Sequence, residues 1–503
     1  MRVAIIGMGT AGVSILRQLE QHSYFKELEI DVYDNAKNMG QGVPFQNDSS
    51  QLLINLPSKD MSLNLNDQEE FYKWYEDQEE FYKWYEDQDE FKFDNAPYLP
   101  RFVFGHYMKS YLERFSNQYD NIHIITEKAT EMFLEKGFEK DAQIQYFVCT
   151  NHQHEACRQY DYVFLTVGTM SYHDPYKLKG LKGFIKSPYP TYETLNTVNG
   201  TDDIAVIGTG LSSLDVIRYV VKHHPNLPLT AVSRKGELPS VRGEMPDITL
   251  KYVTKDNFNN IIKSHFGVVP LESAIHLFKQ ECEELNIPLE QLVHRRVGDP
   301  IKDLKYDLAH PEILGVFQSL LETIKENMNW IWNSLSIEDQ KIFMKEYMPI
   351  LKANSNPMPP RTARLLIEEI ENGHLIIKKD LAEVTQENDT FIFKYNDDTK
   401  TEQYNVVINA TGPRTQLKDL DEDDAFLIDI ANRQIVQAHP MGGIQIVPET
   451  NQVISPRYGT LPHLIAIGQI TNGINQARNG VNMIVRQSVQ AVESLYEYHA
   501  ENR

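Results

Sequence analysis

A chain of 503 residues is too long for one compact core and predicts two or three domains. Apolar residues at 41% and charged residues at 24% are an ordinary globular balance. The formal net charge of −22 repels phosphate backbones and anionic bilayers, which argues against nucleic acid and membrane partners.

Arg2–Ile6 is a short apolar run, the mark of a buried parallel strand. It enters Gly7-Met8-Gly9-Thr10-Ala11-Gly12, a G-x-G-x-x-G turn, and a helical stretch to about Gln21 follows. Leu28–Tyr33 reads as a second strand and ends at Asp34, completing a βαβ unit. In such a loop the first glycine permits the tight turn, the second admits a pyrophosphate to the backbone, and the third lets helix and strand pack closely. The helix N-terminus stabilises the phosphate charge. Asp34 lies 34 − 12 = 22 residues past the third glycine, where a carboxylate holds ribose hydroxyls.

The decapeptide DQEEFYKWYE then occurs twice in tandem, as Asp67–Glu76 and Asp77–Glu86. Phe, Trp and Tyr stand at i, i+3 and i+4 in each copy, so they share one helical face. The plain reading is an in-frame duplication of an amphipathic helix with one copy redundant; the alternative is a docking surface for a protein partner.

Strands are expected at His123–Thr126, Gln143–Val148 and Asp161–Thr166. A second βαβ starts at Asp203. Its loop is Gly208-Thr209-Gly210-Leu211-Ser212-Ser213, and its second strand, Leu229–Val232, ends in Ser233-Arg234-Lys235 rather than in an acid. A hydroxyl and cations at this offset suit a ribose 2′-phosphate, favouring NADPH over NADH; a solvated basic turn is the alternative. A helical stretch from about Asp256 to Leu351, with Trp330 and Trp332, interrupts this second half and reads as an insertion or substrate-covering cap, or else as helical decoration. Strands return at Leu375–Lys378, Phe391–Tyr395, Asn405–Asn409 and His463–Ile467, before a helix over about Gly480–Tyr498. The expected class is α/β with two Rossmann-like dinucleotide-binding domains: 1–200 with 405–503, and 201–255 with 352–404, around a helical insertion at 256–351.

Cys149, Cys157 and Cys282 include no C-x-x-C pair, which argues against a dithiol redox centre, an iron–sulfur cluster or a cysteine zinc site. So few cysteines suit a reducing compartment, and a cytoplasmic location is expected. No stretch approaches the roughly 20 apolar residues that span a bilayer. No metal site and no catalytic side chain stand out. His439 and His463 fall in the segment that should return to the cofactor.

Two strands end alike, in Thr166-Val167-Gly168 and in Thr411-Gly412. The order Gly7-x-Gly9-x-x-Gly12, Thr166-x-Gly168, Gly208-x-Gly210, Thr411-Gly412 and Leu464–Gly468 resembles the flavoproteins with two dinucleotide-binding domains. Flavin-containing and N-hydroxylating monooxygenases belong to that group. Gly40-Gln41-Gly42-Val43-Pro44-Phe45, the Leu52–Pro57 segment with Asn55, and Pro100-Arg101 with Gly105 and Tyr107 are similar to a bacterial family known simply as FAD/NAD(P)-binding proteins. The resemblance implies FAD in the first domain, NAD(P)H in the second, and Gln41 and Asn55 near the flavin or substrate. Relatives tend to carry Gly-Asp where this chain has Gly468-Gln469, and Arg-His-Arg where it has Pro359-Pro360-Arg361. The implied activity is an NAD(P)H-dependent flavin oxidoreductase, foremost a monooxygenase acting on a small-molecule substrate. The alternatives are an acceptor reductase without oxygen insertion and a non-catalytic flavin- or nucleotide-binding sensor. Oligomeric state stays open.

Overall fold

The computed structural model describes residues 1–78, 82, 97–136, 143–150, 157–396 and 401–501. It divides into two units: Met1–Ser50 with Leu56–Ser171 and Pro413–Arg503, and Gln51–Asn55 with Tyr172–Gly412. Residues 172–200 and 405–412, allotted to the first domain on sequence, fold with the second. The cause is strand pairing: β8 (Phe184–Ile185) and β15 (Val406–Asn409) add to the second sheet.

The first unit is built on β1 (Arg2–Ile6), β2 (Glu29–Tyr33), β3 (Ile122–Ile125), β7 (Tyr162–Leu165), β16 (Gln452–Ser455) and β17 (Gly459–Ala466). They lie in the order β16-β17-β7-β1-β2-β3, all parallel except the β16–β17 pair. Val3–Ile6 and Tyr162–Leu165 are buried along their whole length, as strands covered on both faces require. Helix α1 (Thr10–Glu20) packs with the helix Val481–Glu501, where the Tyr496 hydroxyl donates to the Leu19 carbonyl at 2.7 Å. Ala4 and Ile6 join a core with Met132, Tyr146 and Val148 from the antiparallel strands β4 (Ala129–Lys136), β5 (Ile144–Thr150) and β6 (Arg158–Tyr160). Buried Asp31 on β2 is satisfied by Arg158 at 3.0 Å and by the Tyr160 hydroxyl at 2.5 Å.

The first repeat copy forms α2 (Glu70–Glu76) and packs on α3 (Arg101–Gln118). Phe71 is fully buried against Phe104 and Tyr107. The Glu70 carboxylate accepts from Tyr107 (2.7 Å), Asn64 (2.6 Å), Arg17 (3.2 Å) and Tyr111. Burial works to raise its pKa, yet these donors carry it below the usual value. This copy is therefore core, not a free docking face. The second copy lies outside the described residues apart from Asp77, Gln78 and Tyr82; Tyr82 is buried beside Tyr75.

The cysteine spacings carry no expectation of a disulfide, yet one is present. Cys149 and Cys157 form a disulfide, with Cα atoms 4.1 Å apart. They follow the paired residues Val148 and Arg158 outward and so face each other across β5 and β6. A spacing of eight residues makes a cross-strand pair that a search for C-x-x-C overlooks. Cys282 is free and buried, and burial pushes its thiol up to about 12.

The second unit holds β8, β9 (Ile204–Ile207), β10 (Leu229–Val232), β11 (Leu375–Lys378) and β15 in the parallel order β11-β10-β9-β15-β8. An antiparallel sheet of β12 (Leu381–Glu387), β13 (Thr390–Tyr395) and β14 (Thr401–Tyr404) accompanies it. The helical insertion runs from Lys255 to Ser355 with a core of its own, including Leu292, Leu314, Phe317 and Leu320. It is fastened by fully buried Asp307, which accepts from Arg295 (2.8 Å), Arg296 (3.0 Å) and the Val241 amide (3.0 Å). Trp332 is wholly buried beside Phe343, and Trp330 meets the edge of Phe258. Both tryptophans are thus packing residues of the insertion.

Candidate functional site

Each expected glycine loop sits at the junction of a central strand and its helix, and the two share a backbone design. Gly7 has φ +101° and Gly208 φ +124°. A Cβ at Gly7 would lie 2.3 Å from the Thr166 carbonyl oxygen, and one at Gly208 would lie 2.6 Å from the Ala410 carbonyl oxygen. Neither position tolerates a side chain, whatever binds nearby. Their amides close the turns on Tyr33 and Val232, both at 2.8 Å.

The middle glycines differ in kind. Gly9 and Gly210 are the N-caps of α1 and of α4 (Leu211–His223), with φ −81° and −85°, which any residue adopts. A Cβ at Gly9 would make an ordinary contact, 3.4 Å from the Gly42 Cα, and one at Gly210 would meet nothing within 4 Å. The fold itself does not demand glycine there. No side chain caps either helix, and neither first turn, with Thr10, Ala11 and Gly12 or with Ser212, carries an acid. Both N-termini thus present bare amides and a positive dipole end, the arrangement that receives a phosphate.

The partners of the two loops set them apart. Asp34 accepts from the Met8 and Asn35 amides, both at 2.8 Å, and burial raises its pKa. Nearby, Gln41 donates to the Lys37 carbonyl at 2.8 Å while its Oε1 and the Asn38 Oδ1 are buried without a partner among the described residues. Orphaned acceptors beside a glycine cradle fit the hydroxyl groups of a dinucleotide. Asn38 was not anticipated from sequence, since an Asn in a polar turn carries no distinguishing signal. In the second loop the Ser233 hydroxyl pairs with Thr209 Oγ1 at 2.9 Å and accepts from the Gly236 amide at 2.9 Å, so it shapes the turn. Arg234 and Lys235 are exposed.

Gly168, Gly412 and Gly468 have φ of +78°, +90° and +98°, with open space where a Cβ would point. Backbone is left bare at these strand ends. Thr166 ties its strand to the first loop by donating to the Gly7 carbonyl at 2.6 Å, and the Thr411 hydroxyl donates to Asn409 Oδ1 at 2.8 Å. Gln469 is exposed and accepts from Asn472 at 2.6 Å. Asn55 belongs to the second unit, in a small cavity beside Leu211, Asp215, Arg218 and Thr362. His439 is buried and accepts from the Met441 amide at 3.1 Å, while His463 stacks on Tyr162 and meets Tyr498 at a tilt. These contacts account for both rings as packing and loop-holding groups. Among the described residues no cluster of His, Cys, Asp or Glu has the form of a metal site, and no helix is long and apolar enough to cross a membrane.

Residues 4–170 match the model of a family described as FAD-NAD(P)-binding. The match spans about a third of the chain and marks this segment as similar to FAD/NAD(P)-binding domains. Over nearly its full length the chain also aligns with solved structures. L-lysine 6-monooxygenase from Pseudomonas syringae is 13% identical with a TM-score of 0.60, 99% of each chain being covered. Ornithine hydroxylase from Pseudomonas aeruginosa is 12% identical with a TM-score of 0.59, again over 99% of each chain. The ornithine N-hydroxylase of Kutzneria sp. 744, determined with reduced FAD, NADP+ and L-ornithine, is 12% identical with a TM-score of 0.58 over 99% of each chain. No curated protein sequence matches the chain. At these identities the likeness is one of fold, and that fold is the α/β architecture of flavoproteins with two dinucleotide-binding domains.

Proposed function

We propose that the chain is an FAD-dependent oxidoreductase that draws electrons from NADPH, and that it acts as a monooxygenase on a small amine metabolite. The observation that carries the reading is the pair Gly9 and Gly210: two helix N-caps kept free of side chains although their own surroundings leave room for one. Bare backbone there has a use only if something must approach it closely. FAD, when bound, supplies the hydride and oxygen chemistry. The residues of the first cradle hold it: Gly9 and the amides of Thr10 and Ala11 at the pyrophosphate, and Asp34 at the ribose, with Asn38 and Gln41 as further acceptors. Gly168, Gly468 and Gln469 leave backbone and one amide side chain at the strand ends. In the second cradle Gly210 and Ser212 take the pyrophosphate of NADPH, and Arg234 takes its 2′-phosphate while Ser233 fixes the turn. Thr411 and Gly412 close that cradle. The amine substrate is suggested by the fold neighbours that act on lysine and ornithine, an analogy that ranks below the cofactor assignment.

The test is direct. The purified protein is loaded with FAD, NADPH is added without oxygen, and air is then admitted with or without candidate diamines and basic amino acids. Loss of visible flavin absorbance, followed by oxygen uptake that yields hydroxylated amine rather than hydrogen peroxide, supports the proposal. Oxygen uptake giving only peroxide with every amine tried, or only with added acceptors, favours the reductase reading. A protein that takes up no FAD contradicts the assignment altogether.

A further inference from the structure

The 2′-phosphate end of the second cradle is formed by more than one strand. β10 and β11 run parallel in register, Val232 beside Lys378, and the Ser233 amide donates to the Lys378 carbonyl at 3.1 Å. The turn that follows β10 therefore lies against the residues that follow β11. Gly236, at φ +66°, comes so close that a Cβ on it would lie 3.0 Å from the Cβ of Lys379. The Asp380 amide donates to the Arg234 carbonyl at 3.2 Å and fastens the two strand ends together.

The two lysines at the end of β11 have different employment. Lys378 pairs with Glu402 and stands over the Tyr395 ring, so its charge is spent within the unit. Lys379 extends into solvent with 71% of its side chain exposed; among the described residues its one ion-pair contact is with neighbouring Asp380 at 3.8 Å, beyond hydrogen-bonding reach. Arg234 and Lys235 are exposed on the adjoining turn, with no acidic partner among the described residues. Among the described residues, the acids adjoining this turn in sequence are Asp380 and the exposed Glu237. Three cationic residues thus lie on adjoining strand-end turns.

We infer that Lys379 is a specificity-determining residue of the nicotinamide nucleotide site, supplying with Arg234 and Lys235 the cationic pocket for the ribose 2′-phosphate. The inference rests on the NADPH reading above and adds to it a residue from another strand, far away in sequence. A lysine serves here as a mobile point charge beside the forked guanidinium of Arg234.

The experiment uses the FAD-loaded protein and calorimetric titration with 2′,5′-ADP and 5′-AMP, which differ only in the phosphate at issue. Lys379→Ala weakens 2′,5′-ADP about fivefold, the modest effect of an exposed charge, and leaves 5′-AMP unchanged. Asp380→Asn, which removes the competing carboxylate, tightens 2′,5′-ADP and not 5′-AMP. The Lys379 effect shrinks at high salt. Equal losses for the two nucleotides, or no loss for either, overturn the role of Lys379. Arg234→Ala separates that failure from a deeper one. If the unaltered protein prefers 2′,5′-ADP and Arg234→Ala abolishes the preference while Lys379→Ala leaves it intact, only Lys379 is misassigned. If the unaltered protein shows no preference, the NADPH reading falls with it.

Discussion

At the first glycine loop, a methyl group on residue 12 would lie 2.2 Å from the Gly7 carbonyl oxygen. At the second, the corresponding residue is Ser213, wholly buried, with a hydroxyl that finds no partner among the described residues. Helix and strand therefore approach more closely in the first unit than in the second, although both loops turn through a positive φ at Gly7 and Gly208. The difference separates two duties that one motif conceals. Gly7, Gly208 and Gly12 are dictated by the protein's own sterics, whereas the fold makes no such demand at Gly9 and Gly210, which the proposed function assigns to ligands.

The largest expected effect follows from the first class. Gly12→Ala forces a methyl into the Gly7 carbonyl, and overpacking of this kind costs about 1–3 kcal/mol or more. The variant should melt well below the unaltered protein and lose FAD, as thermal unfolding and the visible spectrum report. A normal melting temperature would show that α1 can shift and that the two loops are not different after all. Next come Gly9→Ala and Gly210→Ala. Both should fold with unchanged melting in the apoprotein, yet lose at least about tenfold in affinity, roughly 1.4 kcal/mol. Gly9→Ala should affect FAD alone and Gly210→Ala NADPH alone. Loss of stability without loss of affinity would put these glycines in the first class.

Asp34 sharpens the contrast at the strand ends through pH. Burial raises its pKa above the ordinary 3.8, so on acidification it takes up its proton earlier than a free carboxylate. If Asp34 holds the ribose as proposed, its carboxylate is then lost as an acceptor, and FAD affinity should fall as pH drops, beginning above 3.8. Apoprotein stability moves the other way: a raised folded pKa contributes stability that is present in acid and lost as pH rises through it. Asp34→Asn should flatten both dependences, and a pH-dependent FAD affinity surviving in that variant would assign it to another group. The smallest effect is at Ser213. Ser213→Ala removes a buried hydroxyl without a partner and should be neutral or stabilise by up to about 1 kcal/mol; a clear loss would mean that the hydroxyl is used.

The two loops, the strands flanking them and the class of fold were legible in the chain because glycine spacing and apolar runs are local signals. β10 and β11 lie where the periodicity put them. What escaped was non-local. β8, two residues long, has too little sequence to announce itself, and pairing with β15 carries its neighbourhood into the second unit. The Cys149–Cys157 bridge is set by strand register. Asn55 sits between two stretches of the first unit in sequence and beside Asp215 and Arg218 in space. Lys379 acquires its meaning only when β11 is laid beside β10. The duplicated decapeptide was obvious as text, but its core role depends on Arg17, Tyr107 and Tyr111, which no repeat search connects to Glu70.

The second unit is spliced into the first between Ser171 and Pro413, and this has a consequence for biogenesis. β17 sits beside β7 in the first sheet, yet some 300 residues separate them along the chain. At about 5–20 residues per second, a ribosome takes roughly 15–60 s to cover that distance. Throughout that interval the edge of β7 and the face of α1 that receives the C-terminal helix wait uncovered. The second unit, contiguous apart from Gln51–Asn55, has all its strands in hand by residue 409. Nascent chains should therefore mature in reverse order, the later-encoded unit first, and the half-built first sheet is where a chaperone would be needed.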